Sequence, residues 1–234
     1  AKVAEAVQAV AKEYEQLEVV LAQFDTARPL LSAAFTKASA SETKLIYAHV
    51  LGMMGDATGA DTLAQAVSAT AWDEGWHFKG MGQFGACMSP LDSLIIALGR
   101  TKSPVGLKPI LAKISLLSTN SEFSHFRAVA IALETLGDKS AAKPLAGLLQ
   151  TPGLGGHSVT SIDTALGNNP TSGTDNVTRG RALTELYLAR ALYRCGDHQG
   201  LGAKILRQYA QDLHGHYARH AQAVLKRSAG APIN

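Results

Sequence analysis

The side chains best suited to chemistry in this chain fall in four stretches. The densest is TAWDEGWHFKGMGQFGACMSP, residues 70–90, which holds both tryptophans. Trp72, Glu74, Trp76, His77, Phe78 and Phe84 suit a stacking surface for a sugar or ring, or an anchor on another protein domain. The plainer reading is that the rings plug a gap between helices. Because binding residues concentrate on loops, the segment is read as a binding face, and an interdomain anchor is preferred to a small-molecule site. Gly80-Met81-Gly82-Gln83-Phe84-Gly85 satisfies GxGxxG, but a dinucleotide site needs a buried strand before the glycines and a βαβ frame around them. WDEGWHFK is not such a strand, so the glycines read as a close-approach loop.

The second stretch is SEFSHFRA, residues 121–128. Glu122, Ser124, His125 and Arg127 open a helix there, where an anion can bind or His125 can titrate beside a carboxylate. A capped helix start with a solvated charge pair is the simpler reading. His157, in GLGGHS, is a loop histidine with no partner that spacing can name. In HGHYARH, His216 and His220 stand four apart, a spacing zinc uses. No glutamate follows the first histidine and no third ligand is evident, so the segment reads as a solvated terminal helix without metal. Cys87 and Cys195 form neither a metal-type nor a redox-type pair, and no Ser–His–Asp or Cys–His constellation emerges from the spacing.

Composition excludes several classes. A 46% hydrophobic content rules out wholesale disorder. The net charge of +3 is small and its basic residues are scattered, which argues against a nucleic-acid partner. No apolar run reaches the ~18 residues of a membrane span. Ala1 leads straight into an amphipathic pattern with no signal-like segment, so the covered residues read as soluble, with the compartment open.

The elements that must position these residues are helices. Val3, Val7, Val10, Tyr14, Leu17, Leu21 and Phe24 predict one amphipathic helix over 1–24. Pro29 suits the start of a short helix over 29–38, and Ser39 or Ser41 can cap the next. An internal repeat then emerges. LGMMGD (51–56), LETLGD (133–138) and LYRCGD (192–197) share one corner, in which glycine supplies a left-handed residue and aspartate caps the following helix. Behind the corner, Ala60, Leu63 and Val67 match Ala142, Leu145 and Leu149. Leu201 and Ile205 hold the last copy, and Leu98, Ser103, Ile110 and Ile114 keep the frame without the Gly-Asp. The leading leucines 51, 98, 133 and 192 describe a unit of ~35 residues with insertions at 70–90 and 151–180, and insertions in such arrays gather on one face. Asn176-Val177-Thr178 is a glycosylation sequon that matters only in a secreted chain.

The fold expected is all-α: a HEAT-like α-α superhelix of about four helix pairs over 44–228, capped by an N-terminal helical hairpin over 1–38. Beyond this likeness to HEAT-like repeats, the series AHVLGMMGDATGADTL, WDEGWHFKGMGQFG, SPLDSLIIALGRT, EFSHFRAVAIALETLGD and ALYRCGDHQGLGAKIL, across residues 44–225, resembles the C-terminal helical region of a bacterial family of FAD-dependent oxidoreductases. In that family a flavin-binding Rossmann-type part comes first. The resemblance implies a non-catalytic domain that packs on, or completes the substrate side of, a flavoprotein. FAD would lie on a separate domain or partner and on none of these residues. Two other functions are open to the same residues: a stand-alone scaffold for protein–protein interaction, and a helical carbohydrate-active enzyme using His77, His125, His157 and Arg127.

Overall fold

The computed structural model describes residues 1–73, 88–167 and 176–231. Among these residues there are thirteen α-helices and no strand. An N-terminal cap comprises α1 (Lys2–Ala9), α2 (Leu17–Ala22) and α3 (Phe24–Lys37). Antiparallel partners follow: α4 (Ser41–Met53) with α5 (Ala60–Ala69), α6 (Pro90–Arg100) with α7 (Leu107–Ile114), and α8 (Phe123–Leu136) with α9 (Ala142–Leu149). After the short α10 (Ile162–Gly167), the long α11 (Asn176–Arg194) pairs with α12 (Leu201–Tyr209), and α13 (Gly215–Leu225) closes the chain.

Packing arranges the helices in two rows. In one, α4 lies on α6, α6 on α8 and α8 on α11; in the other, α5 lies on α7 and α7 on α9. Neither row can bury its apolar stripe alone. Leu63, Leu98, Ile110, Leu133, Leu145 and Leu192 are fully enclosed between them, each contributing about 1.5–3 kcal/mol of transfer free energy. Gly99 lets α6 and α8 touch: a Cβ there would lie 2.4 Å from the Ala132 Cα.

The corner glycines have the backbone conformation their sequence implies. Gly55, Gly137 and Gly196 all take positive φ (83°, 68° and 101°). The amides of Asp56 and Asp197 return to the carbonyls of Leu51 and Leu192, each at 2.9 Å, and the Gly137 amide returns to Leu133 at 2.9 Å. These bonds close the helix ends. Asp197 then accepts the Gly202 and Ala203 amides of α12, and Asp138 accepts the Ser140 amide of a short 3-10 turn. Asp56 does not cap α5, whose preceding residue is Gly59, and instead accepts the Thr58 amide within the corner itself. In the pair without Gly-Asp, Lys102 takes the left-handed position at φ 54°, and the Thr101 hydroxyl accepts the Ser103 amide.

Among the described residues, the corners and the flanks of the insertions occupy opposite ends of the rows. At the corner end, the Arg100 guanidinium donates to the Met53 carbonyl, and Lys139 lies beside Gly196. At the other end, Trp72 meets His125, and Thr119 meets Gly153. The geometric reason is simple. Every insertion joins a second-row helix to the next first-row helix, so all such connections emerge where first-row helices begin.

Four local expectations are corrected. Residues 1–24 are not one helix, because the chain turns over 10–16 with Glu13, Tyr14 and Gln16 at positive φ. That turn carries Tyr14 across to α4, a long-range contact that periodicity does not register. Pro29 does not start a helix but sits inside α3. It is exposed there, on the solvent side, where a carbonyl left without its helical partner can take water. Ser39 and Ser41 cap nothing, since the residue preceding α4 is Ala40 and no side chain caps it. Finally, α11 begins at Asn176, inside the insertion expected to run to 180.

Candidate functional site

The first turn of α6 is the local origin of the site. Its sequence, Ser89-Pro90-Leu91-Asp92, is a capping box. The Ser89 hydroxyl accepts the Asp92 amide at 3.1 Å, the Asp92 Oδ2 accepts the Ser89 amide at 2.9 Å, and Pro90 fills the first helical position. The remaining carboxylate oxygen, Asp92 Oδ1, lies 2.7 Å from His125 Nδ1 on α8. Both side chains are buried. Trp72 stacks on that imidazole with centroids 4.3 Å apart and planes 28° from parallel. Asp73 Oδ2 accepts the Leu91 amide at 3.3 Å, and the buried Lys113 ammonium donates to the Thr70 carbonyl at the end of α5.

Two helices and the start of the first insertion therefore converge on His125. Burial alone would lower its pKa. The Asp92 hydrogen bond, and then the charges of Asp92, Glu122 and Asp73, outweigh burial and raise it. An imidazolium under an indole face also gains a cation–π contact. The pair has the orienting carboxylate and base of a hydrolytic triad, but no hydroxyl or thiol stands on His125 Nε2 among the described residues. Around it, Trp72 Nε1, Asp73 Oδ1 and Ser124 Oγ are buried without a hydrogen-bond partner among the described residues.

A second polar chain lies on the other side of the same turn. His49 of α4 is 2.7 Å from the Tyr14 hydroxyl through Nδ1 and 2.8 Å from the Ser93 hydroxyl through Nε2. Burial pushes His49 down to about 4, the Ser93 contact opposing it only in part. Asp92 and Ser93 are adjacent, so one helical turn holds both histidines in opposite protonation preference.

The His49 shift has a measurable consequence. A histidine with a lowered folded pKa binds its proton more readily when unfolded, so stability falls as pH drops below the unfolded value near 6.5. Unfolding by urea should show a loss of about 2 kcal/mol from this group between about pH 7 and about pH 5. His49→Gln should flatten that limb; an unchanged acid slope in the variant would refute the assignment.

Arg127 is exposed on α8 while Ser124 is buried, so they diverge and do not form the anion seat read from SEFSHFRA. The solvated reading of His125 is also corrected, because Asp92 reaches it from a different helix. His157 is pinned in its own loop: Glu185 accepts the Gly156 and His157 amides, each at 2.8 Å, and His157 Nε2 donates to the Gly153 carbonyl at 3.0 Å. Buried Tyr209 donates to Glu185 at 2.8 Å. No contact joins His157 to His125 or Arg127 among the described residues. His220 faces Arg190 at 3.5 Å, and His214 faces Asp212 at 2.7 Å. No group of three or more metal-type side chains forms among the described residues. Cys195 is buried, and its thiol is pushed up to about 12 by burial and by Glu134 and Asp138, which leaves it unreactive. Glu74, Trp76, His77, Phe78, Phe84, Cys87 and the GMGQFG glycines lie outside the described residues.

Sequence reasoning missed Tyr14, His49, Asp92 and Ser93. The SPLD capping box was the one available signal, since it marks Asp92 as held at a helix start. No family model, curated protein or solved structure matches this chain. No helix among the described residues is long and apolar enough to cross a membrane.

Proposed function

We propose that this chain is a HEAT-like helical repeat domain that docks a second protein or domain where the 70–90 insertion leaves the rows. One observation carries the reading. Trp72 Nε1, Asp73 Oδ1 and Ser124 Oγ are donors and acceptors without partners among the described residues, gathered around the Trp72–His125 stack. Unpaired buried polar groups are costly, so this is a place where rearrangement around a docked partner would gain hydrogen bonds. The partner proposed is a flavin-binding domain, on the strength of the likeness to FAD-dependent oxidoreductases. FAD itself is assigned to that partner, as the same likeness implies.

A second reading, a stand-alone scaffold, is favoured by Ile162 and Leu166. These lie four apart on α10 and are 69% and 66% exposed, so they present an apolar edge to a partner. The test separates the two. Co-expressed with the coding sequence that precedes Ala1 or with a neighbouring flavoprotein gene, this chain should co-elute with a yellow protein while being colourless alone. Trp72→Ala should weaken that association by about 30-fold, a loss of ~2 kcal/mol, with helical circular dichroism unchanged. Absence of any flavin-binding sequence in those positions would remove the flavin reading, leaving the scaffold.

A further inference from the structure

The polar chain at His49 borders a cleft that the docking reading does not use. The cleft has a volume of about 460 Å³ and runs between the Tyr14 turn, α4 and the start of α6. Leu45, Met88, Pro90 and Leu94 supply apolar walls, and Tyr14, His49, Ser89 and Ser93 supply the polar ones. A volume of this size suits a small organic molecule.

Counting hydrogens shows what the polar wall offers. A neutral imidazole has one donor and one acceptor nitrogen, and each hydroxyl has one hydrogen. Tyr14, His49 and Ser93 thus hold three exchangeable hydrogens among them, and the two contacts at His49 consume two. If Ser93 donates to Nε2, then Nδ1–H donates to Tyr14 and the phenol hydrogen is left over. In the other tautomer, Tyr14 donates to Nδ1, Nε2–H donates to Ser93, and the serine hydrogen is left over. In either case one hydroxyl donor remains for a group in the cleft. Ser89 competes less well: its hydroxyl accepts the Asp92 amide and keeps its own hydrogen, but the residue is buried where Tyr14 and Ser93 are partly exposed.

Charge limits the ligand further. The lining includes no lysine, arginine, aspartate or glutamate, and burial keeps His49 neutral near pH 7. A charged ligand would lose its hydration without gaining a counter-charge. Nor is the start of α6 an oxyanion seat. The Leu91 amide goes to Asp73, the Asp92 amide to Ser89 Oγ and the Ser93 amide to the Ser89 carbonyl. The turn that delivers Tyr14 holds Glu13, Tyr14 and Gln16 in left-handed backbone, at φ 49°, 65° and 57°. L-residues enter that region at a cost, and such strain concentrates where a side chain must be placed for function.

We propose that this cleft binds a small neutral molecule bearing one hydrogen-bond acceptor, with a ketone or aldehyde carbonyl as the fitting class. The carbonyl takes the spare hydroxyl hydrogen of the Tyr14–His49–Ser93 chain, and the apolar remainder lies against Leu45 and Leu94. The proposal is independent of any docking partner.

The probes are acetophenone and ethylbenzene, which share a shape and differ in the carbonyl. Titration of the full chain by calorimetry should give saturable binding of both, with acetophenone about fivefold tighter, the margin of one added hydrogen bond. Tyr14→Phe with Ser93→Ala should erase that margin while ethylbenzene affinity stays within about twofold, which also reports an intact cleft. Leu94→Trp, filling the cleft, should abolish both. In the unmutated protein, acetophenone should shift the His49 imidazole nitrogen resonances and ethylbenzene should not, a readout that needs no variant to fold. Failure of both probes to saturate, survival of the margin in the double variant, binding by Leu94→Trp, or an unmoved His49 signal would each overturn the proposal.

Discussion

Glu134→Ala should be the most damaging single substitution, lowering stability by about 4 kcal/mol. Glu134 is 7% exposed on α8 and takes a two-pronged bond from Arg190 of α11, at 2.8 Å from Nε and 2.7 Å from Nη2. Arg194 adds a third contact at 3.1 Å. Removing the carboxylate leaves the Arg190 guanidinium enclosed beside the Tyr187 ring, and arginine cannot escape by losing its proton. Burial, then the charges of Arg190 and Arg194, lower the His220 pKa, so this neighbour of Arg190 supplies no counter-charge. A thermal melt should fall by about 10 °C for a chain of this size. The double variant Glu134→Leu with Arg190→Met should recover most of the loss, since apolar replacement of a buried pair is often neutral or better. A loss under ~1 kcal/mol would mean the α8–α11 contact rests on its apolar side chains alone.

The second large effect is Asp92→Ala, about 3 kcal/mol near neutral pH. It removes the α6 capping box and strands His125 against Trp72. Unlike Arg190, His125 can shed its proton, so the penalty depends on pH in a defined sense. In the native protein His125 has a raised pKa. Its contribution is complete below the unfolded value near 6.5 and fades as pH rises through the folded value. The gap between native and Asp92→Ala should therefore narrow as pH rises through the raised folded pKa of His125 and widen as pH falls below the unfolded value near 6.5. Without Asp92, burial dominates and His125 joins His49 in losing stability toward acid. Chemical unfolding across that range measures both slopes. A gap independent of pH would show that Asp92 acts on the helix start and not on the histidine.

These two substitutions also mark the boundary of what could be read in advance. Glu134 and Arg190 sit in helical stretches whose pattern announces only amphipathic helix. Their pairing depends on α8 and α11 lying side by side, and nothing in either local spacing encodes that. His49 was invisible for the same reason. Between Ala48 and Val50 it looks like one polar residue in an apolar run, until Tyr14 and Ser93 arrive from 35 and 44 residues away. His125 was singled out, but its partner was not, because a carboxylate on a different helix has no sequence distance that signals contact.

By itself the sequence determined the helical class, the Gly-Asp corners and the leucine-anchored faces. Those features are set within a few residues, by backbone handedness, by carboxylates reaching the next amides and by apolar spacing. The tertiary structure alone decided that Trp72 covers His125, that Asp92 and Ser93 divide one turn between two histidines, and that residues 10–16 break the first helix to reach α4. Each of these is a contact between helices, and its free energy exists only once the rows have closed and water has been excluded.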